Sequence, residues 1–243
     1  MKKQSLSVFA MLASTLILIT SCGSNESKPE AQANAAAPAP AAEQPKTEQA
    51  PVIQTVAIGD MNWMTENLKT TTFSNGEPIL EAKTNKEWVS AAKSKTPAYR
   101  MSDGVCLYNG YAMKDARGIA PTGFKVASTS DFKSLSKALG GGTSVDGKAA
   151  KAMASYTWEF EEWNESTGDL GMMKIKGANS AGFNATKGGF CYEFGDVNLG
   201  GCSYWWTSDG GSFDIGYCSQ DLGGGFAPSM NLGYGFEVRC VKN

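Results

Sequence analysis

The 243-residue chain contains no histidine, and its 22 Lys and Arg residues nearly balance its 24 Asp and Glu residues. The missing imidazole excludes Ser–His and Cys–His catalysis, His-ligated zinc and a His proton shuttle. The absence of a basic excess disfavours nucleic acid as a partner, because proteins that bind phosphate backbones concentrate positive charge. The chain also lacks a C-x-x-C pair, so we expect no zinc site. We expect no other metal and no cofactor.

Residues 23–50 lack aromatic residues, Leu, Ile and Val, and prolines recur in and just after this stretch, at positions 29, 38, 40, 45 and 51. Such a segment cannot bury enough apolar surface to offset the entropy of ordering the chain. The prolines favour extended conformations. We therefore predict that residues 22–51 form a flexible tether; a short Ala-rich helix over Ala31–Ala37 is the alternative.

The first 21 residues have the pattern of a secretory signal peptide. The charged residues Lys2 and Lys3 precede an apolar core, Leu6–Ile19, that is too short to span a bilayer. The core ends in Ile-Thr-Ser-Cys, which resembles the bacterial lipobox and implies that Cys22 is acylated and becomes the first residue after cleavage. The alternative is an ordinary signal peptide with a chance cysteine.

Lipidation of Cys22 would make the membrane a partner through a lipid anchor. Gly23 follows the cysteine, whereas an Asp at this position resembles the inner-membrane retention signal of many Gram-negative lipoproteins. We therefore expect a cell-envelope location, with the outer membrane favoured over the inner membrane.

The remaining residues, 52–243, are enough for one folded domain of ordinary size. Apolar periodicity predicts helices over 85–93, 130–139 and 147–155, the first of them capped by Thr84. Alternation and turn residues predict strands over 53–58, 182–186, 190–194, 203–208, 213–219 and 235–242. Helices followed by strands indicate an α+β fold.

Several short motifs recur in a characteristic order along this domain. They are Ile58-Gly59-Asp60 with Trp63–Leu68, Leu107-Tyr108-Asn109, Ala120–Val126, Leu139-Gly140-Gly141, Ser180–Ala185 before Gly188-Gly189, Trp205–Ser208 and Gly235–Lys242. Each motif alone is weak, but seven in order resemble the Fibrobacter succinogenes major paralogous domain family over about 53–243.

The resemblance implies a C-type lectin-like domain, with two main helices, small and mostly antiparallel sheets, and long loops on one side. It also implies a secreted or surface location, and it names no reaction. The chain departs from the family pattern at Phe124-Lys125, where Trp-His is frequent, and at Ala120, where many members have Cys.

Five cysteines follow Cys22, so at least one of them stays outside any pair formed within the chain. Cys191 and Cys202 flank a Gly-rich stretch between two predicted strands, which makes them the favoured disulfide. A second candidate pair, Cys106 with Cys240, would tie the last strand to the early core. A catalytic thiol is disfavoured because no His is present to lower its pKa.

The lectin-like resemblance places any ligand on the Gly-rich C-terminal loops, where binding residues concentrate on a rigid scaffold. The candidate binding residues are Tyr204, Trp206, Asp209, Asp214, Asp221, Asn231 and Tyr234. Trp205 and Trp206 are adjacent, so they face opposite sides of a strand, and core packing is the favoured reading for both.

These observations favour a lipid-anchored, non-catalytic surface protein that binds a glycan, fibre or another envelope protein. One alternative is an envelope glycan hydrolase that uses paired carboxylates, for which Glu159, Glu161 and Glu162 are the densest acidic run. Another is a purely structural surface protein. Paired acids in a pocket would favour the enzyme, whereas an exposed aromatic patch without them would favour the binding protein.

Overall fold

The computed structural model, which describes residues 52–141, 147–164, 166–216 and 225–243, mixes helices and strands along the chain. The helices are α1 (Asn85–Ser94), α2 (Gly110–Met113), α3 (Thr129–Ala138) and α4 (Gly147–Met153). Within these ranges, none of them has the length and apolar character needed to cross a membrane. The α+β class is confirmed, although strands also precede the first helix.

The strands form four separate sheets. They are β1 (Thr55–Ile58), β2 (Met61–Met64), β3 (Leu80–Glu81), β4 (Ala98–Ser102), β5 (Val105–Asn109), β6 (Phe124–Val126), β7 (Thr157–Asn164), β8 (Asp169–Lys176), β9 (Gly189–Cys191), β10 (Val197–Leu199), β11 (Cys202–Trp206), β12 (Ser212–Gly216), β13 (Gly225–Ala227), β14 (Gly235–Phe236) and β15 (Cys240–Lys242). The sheet orders are β1-β2-β15-β6, β10-β9-β14-β5-β4-β3, β11-β12-β13 and β7-β8. Only β3 and β4 pair in parallel among these strands, so the sheets are mostly antiparallel, as expected.

Capping boxes begin the two longest helices. Thr84 accepts a hydrogen bond from the backbone N–H of Glu87, whose carboxylate accepts one from the backbone of Thr84 in return. Ser128 and Asp131 form the same reciprocal pair at the start of α3. Since each pair satisfies two otherwise unpaired donors, these sites fix where the helices begin. The predicted helices at 85–93 and 130–139 are confirmed to within one residue.

Three strand predictions need correction. The predicted strand 235–242 is two short strands in different sheets, because the chain crosses from β14 to β15 between them. The predicted strand 182–186 contains only a single bridge, between Ala185 and Ala154. The hairpin of β7 and β8 is absent from the predicted strands.

The adjacent tryptophans of β11 divide the core. Trp205 packs with Trp63, Phe132 and other residues between β2 and α3, whereas Trp206 belongs to a second cluster around Tyr108. Both indoles are completely buried. The prediction that both belong to the core is confirmed.

A buried polar network joins segments that are far apart in sequence. The Asn67 side chain donates to the Glu237 carboxylate at 2.5 Å and accepts from Trp205 Nε1 at 2.8 Å and from Arg239 Nε at 2.7 Å. Arg239 is fully buried, donates to the carbonyls of Met64 and Phe183, and lies 4.2 Å from the Phe183 ring centroid. This single amide therefore holds the end of β2, strand β11 and the C-terminal segment together.

The two predicted disulfides are wrong. Cys106, Cys191 and Cys240 are buried free thiols, and burial raises the pKa of each, to about 11, 11 and 12. Cys191 packs beside Trp88 and Leu107, whereas Cys202 lies on a strand of another sheet. Cys202 is disulfide-bonded, but not to any of these three thiols.

Replacing Asn67 with Ala is expected to lower the free energy of unfolding by roughly 3 kcal/mol or more, because a buried guanidinium and indole lose their acceptor. Urea unfolding of the purified chain measures this loss. Asn62→Ala is the matched control, since Asn62 is exposed on β2, shortly before Asn67, and its replacement should cost less than about 0.5 kcal/mol. Equal losses in the two variants would contradict a stabilising role for the network.

Candidate functional site

A cleft of about 430 Å³ opens where β9, β10 and β11 approach one another. Its walls are Gly189, Phe190, Tyr192, Asn198, Gly201, Cys202 and Tyr204. Strand β9 pairs with β10 on one side and with β14 on the other, which holds this wall within the six-stranded sheet. The size is within the range of small-ligand sites.

Alternating aromatic residues form one side of the cleft. Phe190 and Tyr192 lie two residues apart at the end of β9, and Phe194 follows after two more. The Phe190 and Tyr192 rings meet edge to face at 4.7 Å, and Phe194 stacks on Tyr192 at 4.7 Å with an interplanar angle of 11°. Phe194 is 53% exposed, which is unusual for a large aromatic side chain.

Two further tyrosines extend this surface. Tyr204 meets Phe190 edge to face at 5.1 Å, and the Tyr192 and Tyr234 ring centroids are 6.0 Å apart. Both Tyr204 and Tyr234 stack on buried Phe236, at 5.3 and 5.9 Å. We call Phe190, Tyr192, Phe194, Tyr204 and Tyr234 the aromatic surface; every member is at least partly exposed.

Asp214 lies on the same sheet face as Tyr204. The two residues are directly opposite each other in the β11–β12 register, and opposite residues of an antiparallel pair point to one side. Asp214 is only 7% exposed, and its Oδ2 has no hydrogen-bond partner among the described residues. Burial alone raises the pKa of Asp214 to about 7. This carboxyl group is therefore buried beside the cleft, and no hydrogen bond from a described residue to its Oδ2 replaces the lost hydration.

Glu193 supplies a second carboxyl group near the aromatic surface. It directly follows Tyr192, and its buried Oε2 also has no hydrogen-bond partner among the described residues. Burial and the neighbouring Glu193 carboxylate together raise the pKa of Tyr234. Acidic groups thus flank the aromatic surface near both Tyr204 and Tyr234.

The other predicted binding residues have different surroundings. Trp206 is completely buried and donates from Nε1 to the Tyr108 carbonyl at 2.7 Å, so its assignment to a binding surface is wrong. Asp209 accepts from the backbone and hydroxyl of Thr129 at the start of α3. The Asn231 side chain accepts from Gly233 N–H within a turn. Asp221 lies outside the described residues.

Asp209 and Asp214 differ because described residues donate hydrogen bonds to Asp209, whereas Oδ2 of Asp214 receives none from them. Burial raises the pKa of Asp209, but hydrogen bonds from Thr207 and Thr129 outweigh it and hold the pKa below its ordinary value. Of the predicted set, the structure therefore brings Tyr204, Asp214 and Tyr234 together. Phe190, Tyr192 and Phe194 were not among the predicted binding residues, although their spacing of two residues could have indicated a shared strand face.

The acidic run of the alternative hydrolase lies on β7. In the register, Glu159 stands opposite Lys174, Glu161 opposite Met172 and Glu162 opposite Gly171. The side chains of these three residues lie outside the part of the structure that is described.

A wider cleft of about 810 Å³ lies beside Val52–Thr55 and Met64–Lys69. The Asn67 side chain lines it, but all three of its described hydrogen bonds go to the buried network. Among the described residues that line this wider cleft, Phe124 is the one aromatic residue, and it is partly buried. We therefore place the candidate site at the aromatic surface.

The buried Asp214 should make stability depend on pH. Its folded-state pKa of about 7 exceeds the ordinary value of about 3.9, so ionisation opposes folding, and stability falls as the pH rises from about 4 to 7. Asp214→Asn should therefore stabilise the protein above pH 7, by on the order of 2 kcal/mol, and change little near pH 4. Denaturant unfolding across this pH range measures the effect.

Asp209→Asn is the matched control, because the pKa of Asp209 is lowered instead. It should lose stability near neutral pH, and that loss should vanish in acid. A gain of stability in both variants would contradict the assignment of the pH dependence to Asp214.

Comparisons with known proteins give one match. No curated protein and no solved structure matches the chain significantly, so the C-type lectin-like fold stays a prediction. One family model, described as the Fibrobacter succinogenes major domain, matches residues 56–242. The match covers nearly all of the folded domain expected from the sequence and confirms the resemblance found in its motifs. The chain belongs to the Fibrobacter succinogenes major domain family.

Proposed function

We propose that the protein is a lipid-anchored, non-catalytic surface protein of the cell envelope that binds a glycan through its aromatic surface. The proposal combines an acylated Cys22, a tether over residues 22–51 and a binding domain that follows them. The anchor would hold the domain at the membrane, with the outer membrane favoured by Gly23. The tether would let the domain reach ligands away from the lipid surface.

The aromatic surface is the observation that carries the binding role. Three of its five partly exposed rings line the cleft, and rings contacting one another keep their orientation without a ligand. Flat aromatic faces can stack on sugar rings, and Tyr and Trp add contact area at little entropic cost. Preorganised rings reduce the cost of binding further.

A glycan hydrolase is the second candidate, and Asp214 is the observation that favours it. A carboxyl group with a pKa near 7 suits a general acid. Glycoside hydrolysis ordinarily needs two carboxyl groups across the scissile bond. The described residues that line the cleft include no carboxyl group, since Asp214 and Glu193 both lie outside that lining. Binding is therefore the better-supported role.

Lipid attachment is tested at Cys22. Cys22→Ser should leave the precursor uncleaved and without label from a radioactive fatty acid, because acylation of the thiol precedes cleavage in the lipobox scheme. Cys191→Ser is a control that should be processed and labelled normally. Normal labelling of the Cys22 variant would rule out the anchor.

Glycan binding is tested with an array probed by the purified chain. Phe194→Ala and Tyr192→Ala should each weaken binding by roughly 1–2 kcal/mol. Leu80→Ala is the matched control, since Leu80 is 48% exposed on β3, at the opposite edge of the same sheet from β10.

Hydrolysis is followed in the same wells. Cleavage of a bound glycan that disappears in Asp214→Asn would favour the hydrolase instead. Binding that survives both aromatic substitutions would remove the aromatic surface from the proposal.

A further inference from the structure

We propose that the ligand of the aromatic surface is a glycan that carries free, protonated amino groups, with one ammonium group held between the Tyr204 ring and Asp214. This inference rests on the proposed glycan binding and narrows it to a class of sugar. It follows from the combination of aromatic faces with carboxylate oxygens that have no partner.

The position of Asp214 gives the first step. Cys202 and Tyr204 occupy alternate positions of β11, and both line the cleft. Asp214 is opposite Tyr204 in the register, so its side chain projects from the same face of the sheet. Its Oδ2 is buried and has no hydrogen-bond partner among the described residues. A buried acceptor in this state is costly unless a ligand supplies the donor.

The charges around the cleft give the second step. No Lys or Arg is among the described residues that line it. The ion pairs found in the described ranges join Lys83 with Glu81, Arg117 with Glu77 and Asp115, and Lys125 with Asp131, so none of them involves Asp214 or Glu193.

Arg100 lies beside β9, and other groups already engage it. It donates to the Asn85 side chain and to the Gly195 carbonyl, and it lies near Cys191, which points away from Phe190 and Tyr192. The described lining of the cleft therefore offers no cation to the carboxyl groups that lie beside it.

The chemistry of the rings gives the third step. The face of an aromatic ring attracts a cation, and the attraction increases when both partners are removed from water. A neutral sugar would use the flat rings but leave Asp214 without a donor. An ammonium group attached to a sugar ring would use both features at once, because it offers three donors and a positive charge.

A basic protein segment would share the ammonium chemistry, but the surface favours a smaller ligand. A stable protein interface buries about 800 Å² on each partner and has an apolar centre. The exposed large apolar side chains in the described residues are Val52, Leu80, Met101 and Phe194, and only Phe194 belongs to the aromatic surface. A cleft of about 430 Å³ suits a short stretch of glycan better than a protein face.

Two tetrasaccharides that differ only in acetylation test the proposal. Isothermal titration calorimetry at pH 7 compares the purified full chain with β-1,4-linked glucosamine tetramer and with its N-acetylated counterpart. The free-amine tetramer should bind at least about tenfold more tightly, since acetylation removes both the charge and two donors. Added salt should reduce this preference.

Variants show which residues produce the preference for the free-amine tetramer. Asp214→Asn should abolish the preference for the amine while keeping the fold, which a thermal melt checks, and Asp209→Asn should keep it. Tyr204→Ala should weaken the binding of both tetramers, and Tyr192→Phe, which retains the ring, should leave the preference intact.

Each of the other outcomes contradicts a different part of the proposal. Equal binding of the two tetramers, or tighter binding of the acetylated one, with loss in Tyr204→Ala, would refute the ammonium site and leave glycan binding standing. A lysine tetrapeptide that displaces the glucosamine tetramer and binds more tightly would identify a basic protein as the partner and refute the glycan assignment. A blank array together with no binding of either tetramer would refute the proposed function itself.

Discussion

The side-chain amide of Asn67 is the constraint on which much of this fold depends. It bridges the Glu237 carboxylate, the Trp205 indole and the Arg239 guanidinium, three groups that are all buried. Charged groups removed from water are tolerated only when hydrogen bonds replace their hydration. Arg239 obtains two of these bonds from backbone carbonyls, and Gly188 leaves room for the Glu237 carboxylate because a Cβ there would overlap it. The network is therefore specific to this arrangement of chain segments in a way that apolar packing alone is not.

The network also determines where the candidate site lies. Trp205 binds to Asn67 on one face of β11, and Trp206 binds to the Tyr108 carbonyl on the other. A strand fixed on both faces cannot slip by one residue without breaking both of these indole hydrogen bonds. Tyr204, which precedes Trp205, is consequently held at the rim of the core cluster around Tyr108. Asp214 lies opposite Tyr204 on β12. The geometry of the aromatic surface is thus set by packing elsewhere in the domain.

The helices could be predicted from the sequence because their signals are local. Thr84 with Glu87, and Ser128 with Asp131, lie three residues apart, and the apolar spacing after them is helical. The strand predictions were less accurate because pairing depends on partners distant in sequence, as in the separation of β14 from β15. The disulfides failed for the same reason, since Cys191 and Cys202 flank a short loop yet belong to different sheets. The site was only partly predicted: Tyr204, Asp214 and Tyr234 were included, whereas Phe190, Tyr192 and Phe194 were not among the predicted binding residues.

Two buried acids, Glu237 and Asp214, differ in whether the fold supplies them with hydrogen-bond partners. Burial raises the pKa of both Glu237 and Asp214 to about 7, but Glu237 receives a hydrogen bond from Asn67 and lies near Arg239. Glu237 is therefore explained by the fold, because its partners hold the domain together. Asp214 has no such partner in the described residues, and its ionisation lowers stability at neutral pH. A destabilising group beside a preorganised cleft is what a binding site requires, since the missing donor can then come from the ligand.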